Sequence, residues 1–429
     1  MKRTTILRSV APAIVLALTA AACGSTSSNG TKATTPSTTS ASGTTSTSAA
    51  KATLASETGA ATLRAGLTGL LAEHVELAAM ATDAALRGDN AGFQQYATAL
   101  NGPTASNTSD LVAAITSAYG KDVGTAFDGL WRSQKHIPAF VAYTQAVAKG
   151  DNAAKAKALT DLTAYATTFG DTLHSVNANL PAAAVTAGIV MHAKTLTAVI
   201  DAQKSGDETA VYAALGTAAA HMVDFAKTLA VATAAKFPEK FAGDAASAAS
   251  DLRSSLTAVL AEHVWLAASA TGAALGGRQA QFDAAAAALN GPTNSNTVTL
   301  VNAIGSVYGS DVQTAFDGLW RSQKHIPAFV AYTQAVAKGD NAAKQAALAN
   351  LTAYATTFGE TLHTVNADLP ADAVTQAIVM HATSVTAVID AQKAASPMTA
   401  SLLRAAVAHM YGTATVLADA TVTKFPDKF

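Results

Sequence analysis

Residues 136–151 read HIPAFVAYTQAVAKGD, and the same sixteen letters return at 325–340. A histidine opens the stretch, a Gly-Asp pair closes it, and Gly150 lies fourteen residues beyond His136. His136, Ala139, Phe140, Tyr143 and Val147 recur at helical spacing, so the stretch reads as a helix that stops at a glycine turn. Moving outward, residues 125–155 recur letter for letter at 314–344, an offset of 189. The match runs from Glu73 and Glu262 to the endings KFPEKF and KFPDKF. A period that long marks a repeated domain and not a solenoid unit.

Each copy is expected to be all-α, built from antiparallel helical hairpins. Long Ala/Leu/Val segments are broken by GD, NGPT, YG and N-x-N/D-L-P, and no run sustains period-2 alternation. In the first copy helices are predicted near 58–87, 90–100, 105–118, 122–149, 152–177, 181–205 and 207–236. Pro181 suits a helix start, Pro238 and Pro426 end the last helices, and Pro138 is expected to kink the helix that contains it. The domains are set at 56–241 and 242–429, with AGDAASAASD as a short joint.

The N-terminus reads as an export signal over 1–22. Lys2, Arg3 and Arg8 precede an apolar core from Val10 to Ala22, too short to span a bilayer comfortably. Small residues then lead to Cys23, the single cysteine of the chain. The pattern resembles a bacterial lipoprotein signal, which implies cleavage before Cys23 and a lipid on its sulfur. Residues 23–55 are mostly Ser, Thr and Gly and are expected to form a flexible tether. The expected partner is therefore the outer face of a membrane, reached through a lipid anchor, with no further transmembrane segment. Net charge is −1 with 13% charged residues, so there is no basic stripe for nucleic acid. The sequence names no protein partner.

The histidines repeat one distance. His74 to Gly88, His136 to Gly150 and His192 to Gly206 are each fourteen residues, about 21 Å of helix. His221 lies fifteen residues beyond Gly206 on the returning helix. If the hairpins stack with their turns at one end, these four histidines share one height, and His263, His325, His381 and His409 do so in the second copy. Such a layer inside a bundle suits a transition metal, with copper, zinc and iron as candidates. Glu73 and Glu262 are candidate ligands or carboxylates that orient a ring. Met191, Met222, Met380 and Met410 each adjoin a histidine and bring thioethers nearby. Non-covalent haem between two layer histidines is an alternative, as is a ligand-free envelope module whose histidines are ordinary core polar groups. Metal affinity is expected to fall near pH 6 as imidazoles protonate.

Two other constellations read as structural. Asp171/His174 and Glu360/His363 have acid–histidine i, i+3 spacing but sit far from the layer near a helix end. Trp131 and Trp320 read as core anchors with Arg132 and Arg321 as solvated neighbours. There is no C-x-x-C-H, HExxH, Walker A, GxGxxG or nucleophile elbow, so no motif argues for an enzyme.

LLAEHV, LWRSQKHIPAFVAYT, NANLP and the closing KFPEKF resemble a family of exported bacterial helical repeats. Members are often labelled copper amine oxidase-like after a separate domain that some carry. The resemblance implies an all-helical domain outside the cytoplasm and no specific activity. It places His74, His136 and His192 on recurring family positions, but not His221 or His409.

Overall fold

The computed structural model describes residues 53–133, 136–321 and 325–429. The expectations for the leader, Cys23 and nearly all of the Ser/Thr tract fall outside them. Residues 52–429 form one compact unit. Among the described residues all regular structure is helical: sixteen α-helices and one short 3₁₀ turn, eight α-helices to each copy.

In the first copy these are α1 (Gly59–Leu86), α2 (Asn90–Asn101), α3 (Asn107–Tyr119), α4 (Lys121–Ser133), α5 (His136–Lys149), α6 (Asn152–Val176), α7 (Ala182–Ser205) and α8 (Glu208–Lys236). In the second they are α9 (Ala248–Leu275), α10 (Gln279–Asn290), α11 (Asn296–Tyr308), α12 (Ser310–Arg321), α13 (His325–Lys338), α14 (Asn341–Val365), α15 (Ala371–Lys393) and α16 (Thr399–Lys424).

The boundaries follow local chemistry. Asp89, Asp151 and Asp207 each accept a backbone N–H three residues on and cap α2, α6 and α8. The glycine before each aspartate takes a left-handed backbone, with φ of 73°, 68° and 73° at Gly88, Gly150 and Gly206. In the second copy Ala395 takes the place of Gly206 and still adopts φ 47°.

The helix foreseen over 122–149 is described as α4 and α5, on either side of residues 134–135, with Pro138 in α5.

Within a copy the main pairs are α1 with α8, α6 with α7, α7 with α8 and α5 with α6. Glycine and alanine allow these helices close approach. A Cβ on Gly170 of α6 would lie 2.6 Å from the Ala182 carbonyl oxygen of α7, so that crossing requires glycine. The copies meet through α1 against α9, α2 against α16 and α8 against α10. Arg404 of α16 reaches into the first copy there, pairing with Glu73 at 2.9 Å.

The helices α7, α9 and α15 are long and apolar enough to cross a membrane by length and composition alone, which the sequence reading did not single out. Each packs against several other helices of the bundle.

At the end away from the Gly-Asp turns, Phe237 stands edge-on to Tyr119 at 5.2 Å and Phe425 to Tyr308 at 5.1 Å. Phe241 is buried. The aromatics of the two FP(E/D)KF endings thus close the floor of each copy.

Candidate metal centre

The helices that carry the histidines are registered near their turns. Gln203 of α7 bonds to Thr82 (2.8 Å) and to the Ala79 carbonyl (2.9 Å), both on α1. Tyr143 of α5 and Lys155 of α6 both bond to Asp201 of α7, at 2.9 Å each. In the second copy Gln392, Thr271, Tyr332, Lys344 and Asp390 repeat this set. With the turns level, residues fourteen positions from each glycine lie at one height.

At that height His74, His136 and His192 meet, and so do His263, His325 and His381. In each group one ligand nitrogen from every ring lies within 4.8 Å of the other two. Ring centroids in the first triad are 5.4, 5.5 and 5.6 Å apart; in the second they are 5.5, 5.7 and 5.8 Å apart. All six side chains are buried. The His136 and His192 Nε2 atoms are 3.4 Å apart.

An aromatic shell surrounds each triad. Trp131 lies 4.5 Å from His136 and 5.1 Å from His74. Tyr165 stacks on His136 at 5.1 Å, and Phe140 stands edge-on to His192 at 5.5 Å. Trp320, Tyr354 and Phe329 do the same in the second copy.

Burial dominates the electrostatics. It lowers His74 and His263 from the usual 6.5 to about 4, partly opposed by the side chains of Asn107 and Asn296. Burial, and then the neighbouring imidazoles, hold His136, His192, His325 and His381 well below the usual value. These rings are neutral at pH 7, with lone pairs free to coordinate. The interior disfavours imidazolium, so protons compete for these nitrogens at lower pH than for a free imidazole.

Three of the four histidines foreseen in each copy converge; the fourth does not. His221 Nε2 donates to the Gly188 carbonyl at 2.8 Å and His409 Nε2 to the Ala377 carbonyl at 2.9 Å. Height alone left the facing undecided. On α8 the buried stripe runs through Val211, Leu215, Ala218, Met222 and Phe225 and leaves His221 beside it. On α7 it runs through Val185, Ile189, His192, Leu196 and Val199 and includes His192. Heptad position is the signal that separates them.

The two glutamates turn toward other partners. Glu73 bonds to Asn107 (2.9 Å) and forms a two-pronged pair with Arg404; Glu262 bonds to Asn296 at 2.8 Å. Of the methionines, Met191 and Met380 are exposed, while Met222 and Met410 fill the core. His174 and His363 are exposed, and each makes a 2.8 Å ring-nitrogen bond to a loop carbonyl, that of Leu180 or Leu369. Trp131 and Trp320 are core residues as expected. Arg132 is more than a solvated neighbour, since it pairs with Asp128 and caps α2 through the Asn101 and Gly102 carbonyls, both at 2.7 Å.

Three neutral imidazoles around one point form a trigonal or open tetrahedral donor set. For metal–nitrogen bonds of 2.0–2.1 Å, tetrahedral geometry separates ligand nitrogens by about 3.3–3.4 Å, which the His136–His192 spacing matches. The buried Nδ1 atoms of all six rings lack a hydrogen-bond partner, as do Nε2 of His325 and of His381. Each such orphan costs about 1–3 kcal/mol unless something fills its need. A flat porphyrin is a poorer fit, because each imidazole already has two others within 5.8 Å. No family model, curated protein or solved structure matches the chain, so the reading of the site rests on its own geometry.

Proposed function

We propose that each copy holds one transition-metal ion through its histidine triad, His74/His136/His192 or His263/His325/His381. The protein then stores or sequesters two ions per chain. The observation that carries this is the duplicated convergence of three buried imidazoles, each offering a ring nitrogen within 4.8 Å of the other two. All donors are neutral, and the adjacent Glu73 is tied to Asn107 and Arg404. An apolar interior penalises a doubly charged ion more than a singly charged one. Copper(I) is therefore the favoured ion, ahead of zinc(II) and iron(II).

The N-terminal pattern supports a further part of this reading, that the bundle is tethered by lipid at Cys23 to the outer face of a bacterial membrane. There it would meet metal entering from outside.

The test is elemental analysis and competitive titration of the purified chain with copper(I) and zinc(II). About two ions per chain are expected. His136→Asn should leave about one ion, and His136→Asn with His325→Asn none. Full loading of the double variant would sink the reading.

A further inference from the structure

The helical hairpins α3–α4 and α11–α12 cover a second feature present in both copies, a narrow apolar cavity of about 60 Å³ in the first and about 70 Å³ in the second. In the first copy α4 leans mainly on its chain neighbours α3 and α5, and α12 leans likewise on α11 and α13. Phe127, Leu130 and Trp131 are buried beneath α4, but space remains between them and the long helices α1 and α6. Along α1 the cavity follows Leu63, Leu67 and Leu71, and along α9 Leu252, Leu256 and Leu260. These lining residues span about 12 Å of each helix.

Its walls are almost wholly apolar. The polar groups at its floor are already satisfied by one another: the Tyr308 hydroxyl lies 3.0 Å from Thr421 Oγ1, and Asn366 donates to that hydroxyl at 3.1 Å. The mouth lies between α4 and α6, where Val123, Ala126 and Thr172 are half-buried or exposed, as are Val312, Ala315 and Thr361. A void lowers stability in proportion to its volume, and an apolar one stays dry and accepts apolar guests. Here the same void is kept twice in one chain.

We infer that each copy binds a single unbranched hydrocarbon chain, the acyl chain of a fatty acid or of a lipid, by seating its methyl end beneath the α3–α4 or α11–α12 hairpin. The cavity is too small for a fused-ring or macrocyclic ligand. Its apolar walls fit the methyl end of such a chain, with the remaining methylenes and the polar end at the mouth. The inference does not depend on the metal reading.

Two of the three tryptophans, Trp131 and Trp320, line the two cavities, and Trp265 lines neither. In the full chain carrying Trp265→Phe, 11-bromoundecanoic acid should quench the remaining emission saturably at about two chains per protein. Unbrominated undecanoic acid should reverse the quenching, and Trp131→Phe should halve the stoichiometry read by fluorescence. Vesicles of phosphatidylcholine with brominated chains form the second arm. Quenching by vesicles alone makes a membrane lipid the source, and quenching by the free acid makes a fatty acid sufficient.

Ala114→Leu with Ala303→Leu fills the cavities and should abolish quenching. Val123→Phe with Val312→Phe plugs the half-exposed mouths without loading the core, and serves if the first pair unfolds. Absence of quenching up to the solubility limit, or equal quenching in a folded plugged variant, would overturn the inference.

Discussion

The buried imidazoles make metal-free protein sensitive to acid by a calculable amount. His74 and His263 each titrate near 4 in the fold and near 6.5 when unfolded. Between those values the unfolded chain takes up a proton that the native site refuses. Stability is therefore intact above about pH 6.5 and declines as pH falls toward about 4. At pH 5 each of the two histidines has removed about 2 kcal/mol relative to pH 7. Glu76 and Glu262 act in the opposite sense. Burial raises both, and for Glu76 the Glu262 carboxylate adds to it, so their contribution is lost as pH rises through the folded value. The comparison must isolate the histidines. Urea unfolding is measured at pH 7 and pH 5, with chelator, for the natural chain and for His74→Gln with His263→Gln. The stability difference between the two proteins should shift by about 4 kcal/mol between the two pH values, the natural chain losing more in acid. A shift below about 1 kcal/mol would refute the view that these rings are neutral because they are buried.

Five further outcomes follow from specific contacts. Arg404→Met strips the partner from buried Glu73 and should cost about 3–5 kcal/mol by urea unfolding, with part recovered when Glu73→Gln is added. Gly170→Ala forces α6 away from the Ala182 carbonyl and should destabilise by about 1–3 kcal/mol. Gly66→Ala, where a Cβ meets nothing within 4 Å, should stabilise α1 by about 0.5–1 kcal/mol. Ala395→Gly relieves a left-handed alanine at φ 47° and should raise stability by about 1 kcal/mol in a thermal melt. His221→Ala should leave metal stoichiometry at about two while costing about 1 kcal/mol for the lost bond to Gly188.

Much of this molecule is legible in its letters because the signals are local. Gly-Asp turns, aspartate caps and Ala-rich periodicity place the helices, and the fixed distance from His74, His136 and His192 to their glycines places three rings at one height. What stayed hidden depends on rotation and on distant chain. His221 has the right height but the wrong azimuth, which the stripe through Met222 decides. The partner of Glu73 is Arg404, more than three hundred residues away, and the first copy has Gly216 where Arg404 would have its counterpart. The lowered proton affinity of the imidazoles follows from how deeply they are enclosed, which composition does not report.

The seam between the copies pairs like with like. The first helix of one copy lies on the first helix of the other, and α2 meets α16 while α10 meets α8, its reciprocal. Such a contact is isologous, the kind that closes a two-fold dimer. The chain thus has the arrangement of a two-fold dimer within one polypeptide. A single copy produced alone would carry one self-complementary face and should associate with its own twin. Joined in one chain, the two halves need not be identical, and Arg404 stands on only one side of the seam.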